Sequence, residues 1–255
     1  MMGAIGTGNI APGQVTMSLG TSGTLYAAAD QPIISENNGL APFCSSSGGW
    51  LPLICTMNMT NISSAVQQLF ELDIPTFNQH LTSIAAGSDG LLLMPFLNGE
   101  RTPSLPEASG MLLGINMQNL TAAHLCRAAV EGTTLGLRYG LELLRGSGLD
   151  SASIRLIGGG AKSSQWRQIA ADMMNTPVEC PTIGEAAALG GAIQAAWCHS
   201  GWQGKETSLS TLCSQLVAID PRSRVEPDHR GVQHYEALFE RYNEALQHHY
   251  QQPAL

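Results

Sequence analysis

Two glycine-rich turns, each launched by an apolar strand-like run, limit what this chain can fold into. Leu19-Gly20-Thr21-Ser22-Gly23 separates apolar runs at 15–19 and 24–29. Gly158-Gly159-Gly160-Ala161 follows an apolar strand at 154–157 and opens a helix at Ser163. Glycine permits positive φ and lets backbone N–H groups approach phosphate oxygens closely. A helix N-terminus beyond such a turn adds free donors and a favourable dipole. A single turn of this kind carries little information. Two of them, each placed by a strand, point to a polyphosphate gripped from two sides.

Around these turns the chain reads as a β-meander followed by alternating α and β segments. Strands are expected at 14–19, 23–29 and 48–55, the last after a polar loop. Helices follow at 58–72 and 76–86, with Pro75 at the break. A buried strand at 91–97 leads to the loop Asn98-Gly99-Glu100-Arg101-Thr102-Pro103, where Pro103 and Pro106 prevent regular structure. The longest helix spans 119–145, with Asn119 or Thr121 as its cap. Strand 154–157, helix 163–175, strand 178–180 and helix 184–199 form a βαβα series, and a charged helix at 231–250 closes the chain. This order predicts an α/β fold, a mixed sheet with helices on both faces.

The 255 residues are 44% hydrophobic but only 5% aromatic, with 28 glycines. Alanine and glycine must then provide much of the buried volume, so helices should pack very close to their neighbours. Glycines inside the long helix cost about 1 kcal/mol each relative to alanine, which close contact would offset. A net charge of −8 with only two lysines, Lys162 and Lys205, argues against a nucleic-acid surface. No signal peptide or membrane-length apolar stretch is evident, and the expectation is a soluble, cytoplasmic protein. The six cysteines show no metal or C-x-x-C spacing and read as reduced, mostly buried residues. His234, His248 and His249 read as part of a solvated helix, and no metal site is expected among them.

Four spaced motifs carry a resemblance to a known family. Gly110 to Ile115 followed by His124-Leu125-Cys126-Arg127-Ala128-Ala129-Val130-Glu131 resembles the second signature of the FGGY-type carbohydrate kinases. Phe96 to Pro103 resembles the loop of the xylulose kinase branch, and lacks the Gly-Ala-Pro-Tyr-Trp run of glycerol kinases. Leu156 to Arg167 is similar to the family's adenosine-binding turn, and Leu19 to Gly23 to its phosphate-binding hairpin. The resemblance covers the whole chain and implies a ribonuclease-H-like domain of the actin and hexokinase type. Within the family this is the C-terminal, ATP-binding domain of a two-domain enzyme, so residues 1–255 are expected to form that single domain.

Carried across position by position, the resemblance implies that Thr21 meets the terminal phosphates of ATP, with Gly20 and Ser22 shaping the hairpin. Gly159, Gly160 and Ala161 are expected along the α-phosphate and ribose, Ser164 beside adenine, and Gly99 at the nucleotide's border. A valine at Gly160 should then fill phosphate space and abolish affinity while leaving the fold intact. Glu100 and Arg101 are the remaining candidates for an activity-linked pair, against a plain salt bridge, and Lys162 reads as a solvated lysine outside the site. Arg127 and Glu131 read as an exposed or half-buried ion pair.

Where the family has a Gly-Asp-Asn motif with the aspartate that serves as general base, this chain has Met1 and Met2. The expectation is that the base, the acid that holds Mg2+ and the sugar-binding N-terminal domain are absent, leaving a fragment inactive alone. Exposure of the cleft wall would favour self-association, a homodimer included. The first reading is the ATP-binding half of a kinase converting D-xylulose and ATP to xylulose 5-phosphate and ADP. A kinase for another polyol or ketose, such as gluconate, ribulose or glycerol, and a stand-alone ATP-sensing module stay open.

Overall fold

The structure, a computed structural model, describes residues 1–34, 39–205 and 207–252. A short helix α1 (Met2–Gly6) precedes the strands β1 (Val15–Leu19), β2 (Gly23–Ala27), β3 (Ala41–Cys44) and β4 (Trp50–Thr56). Helices α2 (Thr60–Leu69) and α3 (Ile74–Ser83) follow, then β5 (Leu92–Met94), β6 (Met111–Leu113) and α4 (Ala122–Gly146). The remainder is β7 (Ile154–Ile157), α5 (Ser164–Met174), β8 (Val178–Pro181), α6 (Ala186–Trp202), α7 (Leu209–Leu216), β9 (Ile219–Val225) and α8 (His229–Tyr250).

Among the described residues, seven strands form one mixed sheet in the order β3-β4-β2-β1-β7-β8-β9. The meander β1, β2, β4 is antiparallel throughout, whereas β7 runs parallel to β1 and β8 parallel to β7. This is the ribonuclease-H-like arrangement that the resemblance implies. Alternation along β1 sends Val15, Met17 and Leu19 into the main core, which α4, α5 and α8 cover. Thr16 points to the opposite face, where its hydroxyl lies 2.9 Å from that of Thr7, just beyond α1. On that side α1, α6 and α7 share a smaller core of Ile5, Ile193, Leu209 and Cys213.

The departures from expectation have local causes. β3 carries Pro42 and takes an edge position, where a missing N–H is tolerated. β9 is an exposed, charged edge strand without the apolar run that reveals a buried one. The strand expected at 91–97 is cut to Leu92–Met94, ahead of Pro95, and pairs with β6 in a separate two-stranded sheet. Helix α4 starts where Thr121 caps it, its hydroxyl accepting from the His124 N–H. The internal glycines of α4 do admit neighbours: a Cβ at Gly132 would fall 2.2 Å from the Leu93 carbonyl oxygen, and one at Gly140 2.5 Å from Ile54. Among the described residues no helix is long and apolar enough to cross a membrane.

Candidate functional site

β1 and β7 are parallel neighbours, with Ser18 opposite Ile157, so the turns leaving their C-terminal ends lie side by side. Gly158 has φ +90°, and a Cβ there would sit 2.7 Å from the Leu19 carbonyl carbon and 3.0 Å from the Gly20 nitrogen. Only glycine serves at such a crossing. Thr60, opening α2, ties the hairpin to a third element: its N–H and its hydroxyl donate to the Gly20 carbonyl at 3.0 and 2.8 Å. Thr21, Ser22 and Gly159 are exposed at this edge. Among the described residues, the N–H groups of Thr21 and Gly159 have no backbone acceptor.

Two cavities meet at Gly159 and Lys162. One, of about 840 Å³, runs along the ends of β7, β8 and β9 past Arg167, Cys180, Glu185, Asp220 and Arg222. The other, of about 380 Å³, lies between α2, α3 and the start of α5, against Thr60, Ser63, Gln67, Phe77, Asn78 and Trp166. Size alone favours the first, and the two are about equally open, but in the first Arg222 already pairs with Asp220 at 3.4 Å. The smaller cavity has the features of a built site. Phe77 and Trp166 are both buried and give it apolar walls, and Thr60 joins its rim to the hairpin. The N-termini of α2 and α5 both face it, which favours negative charge. Ser163 accepts from the Trp166 N–H at 3.2 Å as the cap of α5, and donates to Asn78 Oδ1 at 2.5 Å.

Gly20, Thr21, Ser22, Gly159, Gly160 and Ala161 are thus gathered at one edge of the sheet. Gly159 faces open space, and a Cβ there would meet no other atom within 4 Å. Gly160 does the opposite. A Cβ there would lie 2.9 Å from Leu19 Cβ and 3.1 Å from the Trp166 ring, so a valine would strike the core and not the phosphate space expected for it. Ala161 is buried and its carbonyl accepts from Arg167 at 2.8 Å. Ser164 points to a separate shallow cavity beside Gln165 and Asp172, while its neighbour Ser163 borders the 380 Å³ one. Gly99 borders neither of the two larger cavities: it is buried at φ +65°, with a Cβ position 2.2 Å from the Pro106 carbonyl. Thr60, Ser63, Phe77 and Asn78 escape a motif-based reading, although the hydroxyl-rich opening of α2 is visible in the sequence. Lys162, read as solvated, is exposed but borders both cavities.

Of the charged candidates, Glu100 and the Arg127–Glu131 pair brace the structure. Glu100 is 3% exposed and accepts from the Met57 and Arg101 N–H groups at 2.6 and 2.7 Å and from Asn58 at 3.0 Å. Burial pushes its carboxyl above the usual range, against the pull of these donors. Arg101 is exposed, and no ion pair joins it to Glu100 among the described residues. Glu131, only 1% exposed, pairs with Arg127 at 2.6 Å and also accepts from Tyr235, Gly87 and Ser88. The expected exposed or half-buried pair is therefore a buried network joining α4, α8 and the segment after α3. The reason is tertiary: helical spacing sets which residues pair, not what later packs over them.

Residues 15–199 match the model of the FGGY family of carbohydrate kinases, C-terminal domain. The chain belongs to the FGGY family of carbohydrate kinases. It is 48% identical over 242 residues to a xylulose kinase of Haemophilus influenzae, covering 95% of this chain and 48% of that protein. The crystal structure of a xylulose kinase from Bifidobacterium adolescentis is 33% identical with a TM-score of 0.77, over 93% of this chain and 45% of that one. A ligand-bound xylulose kinase from Lactobacillus acidophilus, 23% identical, shares the fold at a TM-score of 0.87 over 98% of this chain and 51% of the other. The chain spans about half the length of the relatives it matches.

Proposed function

We propose that this chain is the ATP-binding half of a pentulose kinase, acting in the transfer of the γ-phosphoryl group of ATP to D-xylulose. The observation that carries this reading is the meeting of the Thr21 hairpin, the Gly159 turn and the 380 Å³ cavity at one edge of an FGGY-family domain. The likeness to the H. influenzae xylulose kinase supports the choice of sugar. Adenosine would occupy the cavity between α2 and α3, and the phosphates would run past Gly159 toward the Thr21 and Ser22 amides. In-line phosphoryl transfer depends on positioning and on charge stabilisation at the phosphates, and these residues supply the positioning.

The sugar pocket and the base acting on the acceptor hydroxyl are assigned to the half of the relatives' length that this chain does not match. Magnesium belongs there as well, or with the triphosphate. Mg2+ commonly relies on substrate phosphates with one or two carboxylates. Free thiols at all six cysteines and ATP as co-substrate fit a cytoplasmic enzyme. Calorimetric titration with Mg-ATP is expected to show binding, with D-xylulose turnover only when the N-terminal half of the H. influenzae relative is supplied. Absence of any ATP binding would end the nucleotide assignment.

A further inference from the structure

One side chain in the 380 Å³ cavity has its hydrogen-bonding sense set by its neighbours. Ser163 Oγ accepts from the Trp166 N–H and has one proton to donate, for which Asn78 Oδ1 at 2.5 Å is the near acceptor and Gln165 Oε1 at 3.4 Å the distant one. A carboxamide offers one acceptor oxygen and one nitrogen with two donors. With the oxygen taken by Ser163, Asn78 keeps Nδ2 for the cavity it borders, and among the described residues no protein acceptor engages that nitrogen. Ile74, exposed at the cavity's rim, offers apolar surface to a flat heterocycle, with Phe77 and the Trp166 ring buried behind it. Gln67 across the cavity on α2 is not held in this way by any hydrogen bond within the protein among the described residues.

Resting on the nucleotide reading above, we infer that Asn78 selects the base, donating from Nδ2 to a ring nitrogen that accepts. Adenine presents such an acceptor, N1, on its Watson–Crick edge. Guanine presents N1–H at the same place, so two donors would face each other in a half-buried cavity. An unsatisfied polar group at such a site costs more than a missing hydrogen bond gains. Ser163 is the positioning residue, because it decides which end of the carboxamide meets the base.

The test is calorimetric titration of the full chain with Mg-ATP and Mg-GTP, for the wild type, Asn78→Asp and Asn78→Leu. The wild type is expected to prefer ATP. Asn78→Asp, which offers only acceptors to the cavity, should shift the ATP-to-GTP affinity ratio toward GTP by about tenfold or more. Asn78→Leu carries no charge to repel phosphates and should bring the two affinities to within about threefold. A wild type without preference, or a ratio unmoved in both variants while ATP still binds, overturns the inference. Failure of the wild type to bind either nucleotide overturns the nucleotide reading instead.

Discussion

The Gly158–Gly160 turn and the crossing of α1 with α6 use the same residue for opposite ends. At the crossing, glycine lets backbone meet backbone: a Cβ on Gly190 would stand 1.8 Å from the Met2 carbonyl oxygen, and one on Gly6 1.7 Å from that of Ala186. At the turn the three glycines divide the work. Gly158 supplies a positive φ and a close approach to Leu19, Gly160 makes room for Leu19 and Trp166, and Gly159 alone faces open space. Glycine content therefore marks where something comes close, without saying whether a ligand or the protein's own backbone does so.

Substitutions can break this comparison. Gly190→Val should have the largest effect, about 4 kcal/mol or more of lost stability in thermal or urea unfolding, since a helix backbone cannot yield to it. A near-neutral result would mean that the two helices separate easily. Gly160→Val is expected to cost about 1–3 kcal/mol by overpacking against Leu19 and Trp166, with ATP affinity falling only as the turn distorts. Intact stability with abolished affinity would restore the phosphate-space reading of this glycine. Gly159→Ala should be the mildest for the fold. Its φ of −62° and ψ of −41° suit alanine, so stability should rise by about 0.4–1 kcal/mol, while the added methyl lowers ATP affinity in calorimetry. Unchanged affinity would remove Gly159 from the proposed phosphate path.

Much of the architecture is legible locally. The alternation in β1, the cap at Thr121 and the glycine turn after β7 are each written in a few neighbouring residues. Elements at the sheet's edges are harder to read, because β3 and β9 lack the apolar run of a buried strand. The hairpin and the turn announce themselves as phosphate-type loops, but the cavity wall does not. Phe77 and Asn78 sit on an ordinary amphipathic helix, and nothing near them in sequence says that α3 faces Ser163. Glu100 shows the same limit: whether it belonged to an activity-linked pair or a salt bridge with Arg101 stayed open in the sequence. The structure gives it three donors and no ion pair with Arg101 among the described residues.

The sequence by itself determined the central meander and the βαβα series, the family, and which turns have backbone suited to phosphate, since φ preferences and apolar periodicity are local properties. Tertiary structure decided that β7 lies beside β1, which of three consecutive glycines faces open space, and which charges are buried. Those outcomes depend on contacts between residues more than a hundred positions apart, such as Gly20 with Gly158 and Arg127 with Tyr235. No short stretch of sequence encodes a neighbour of that kind.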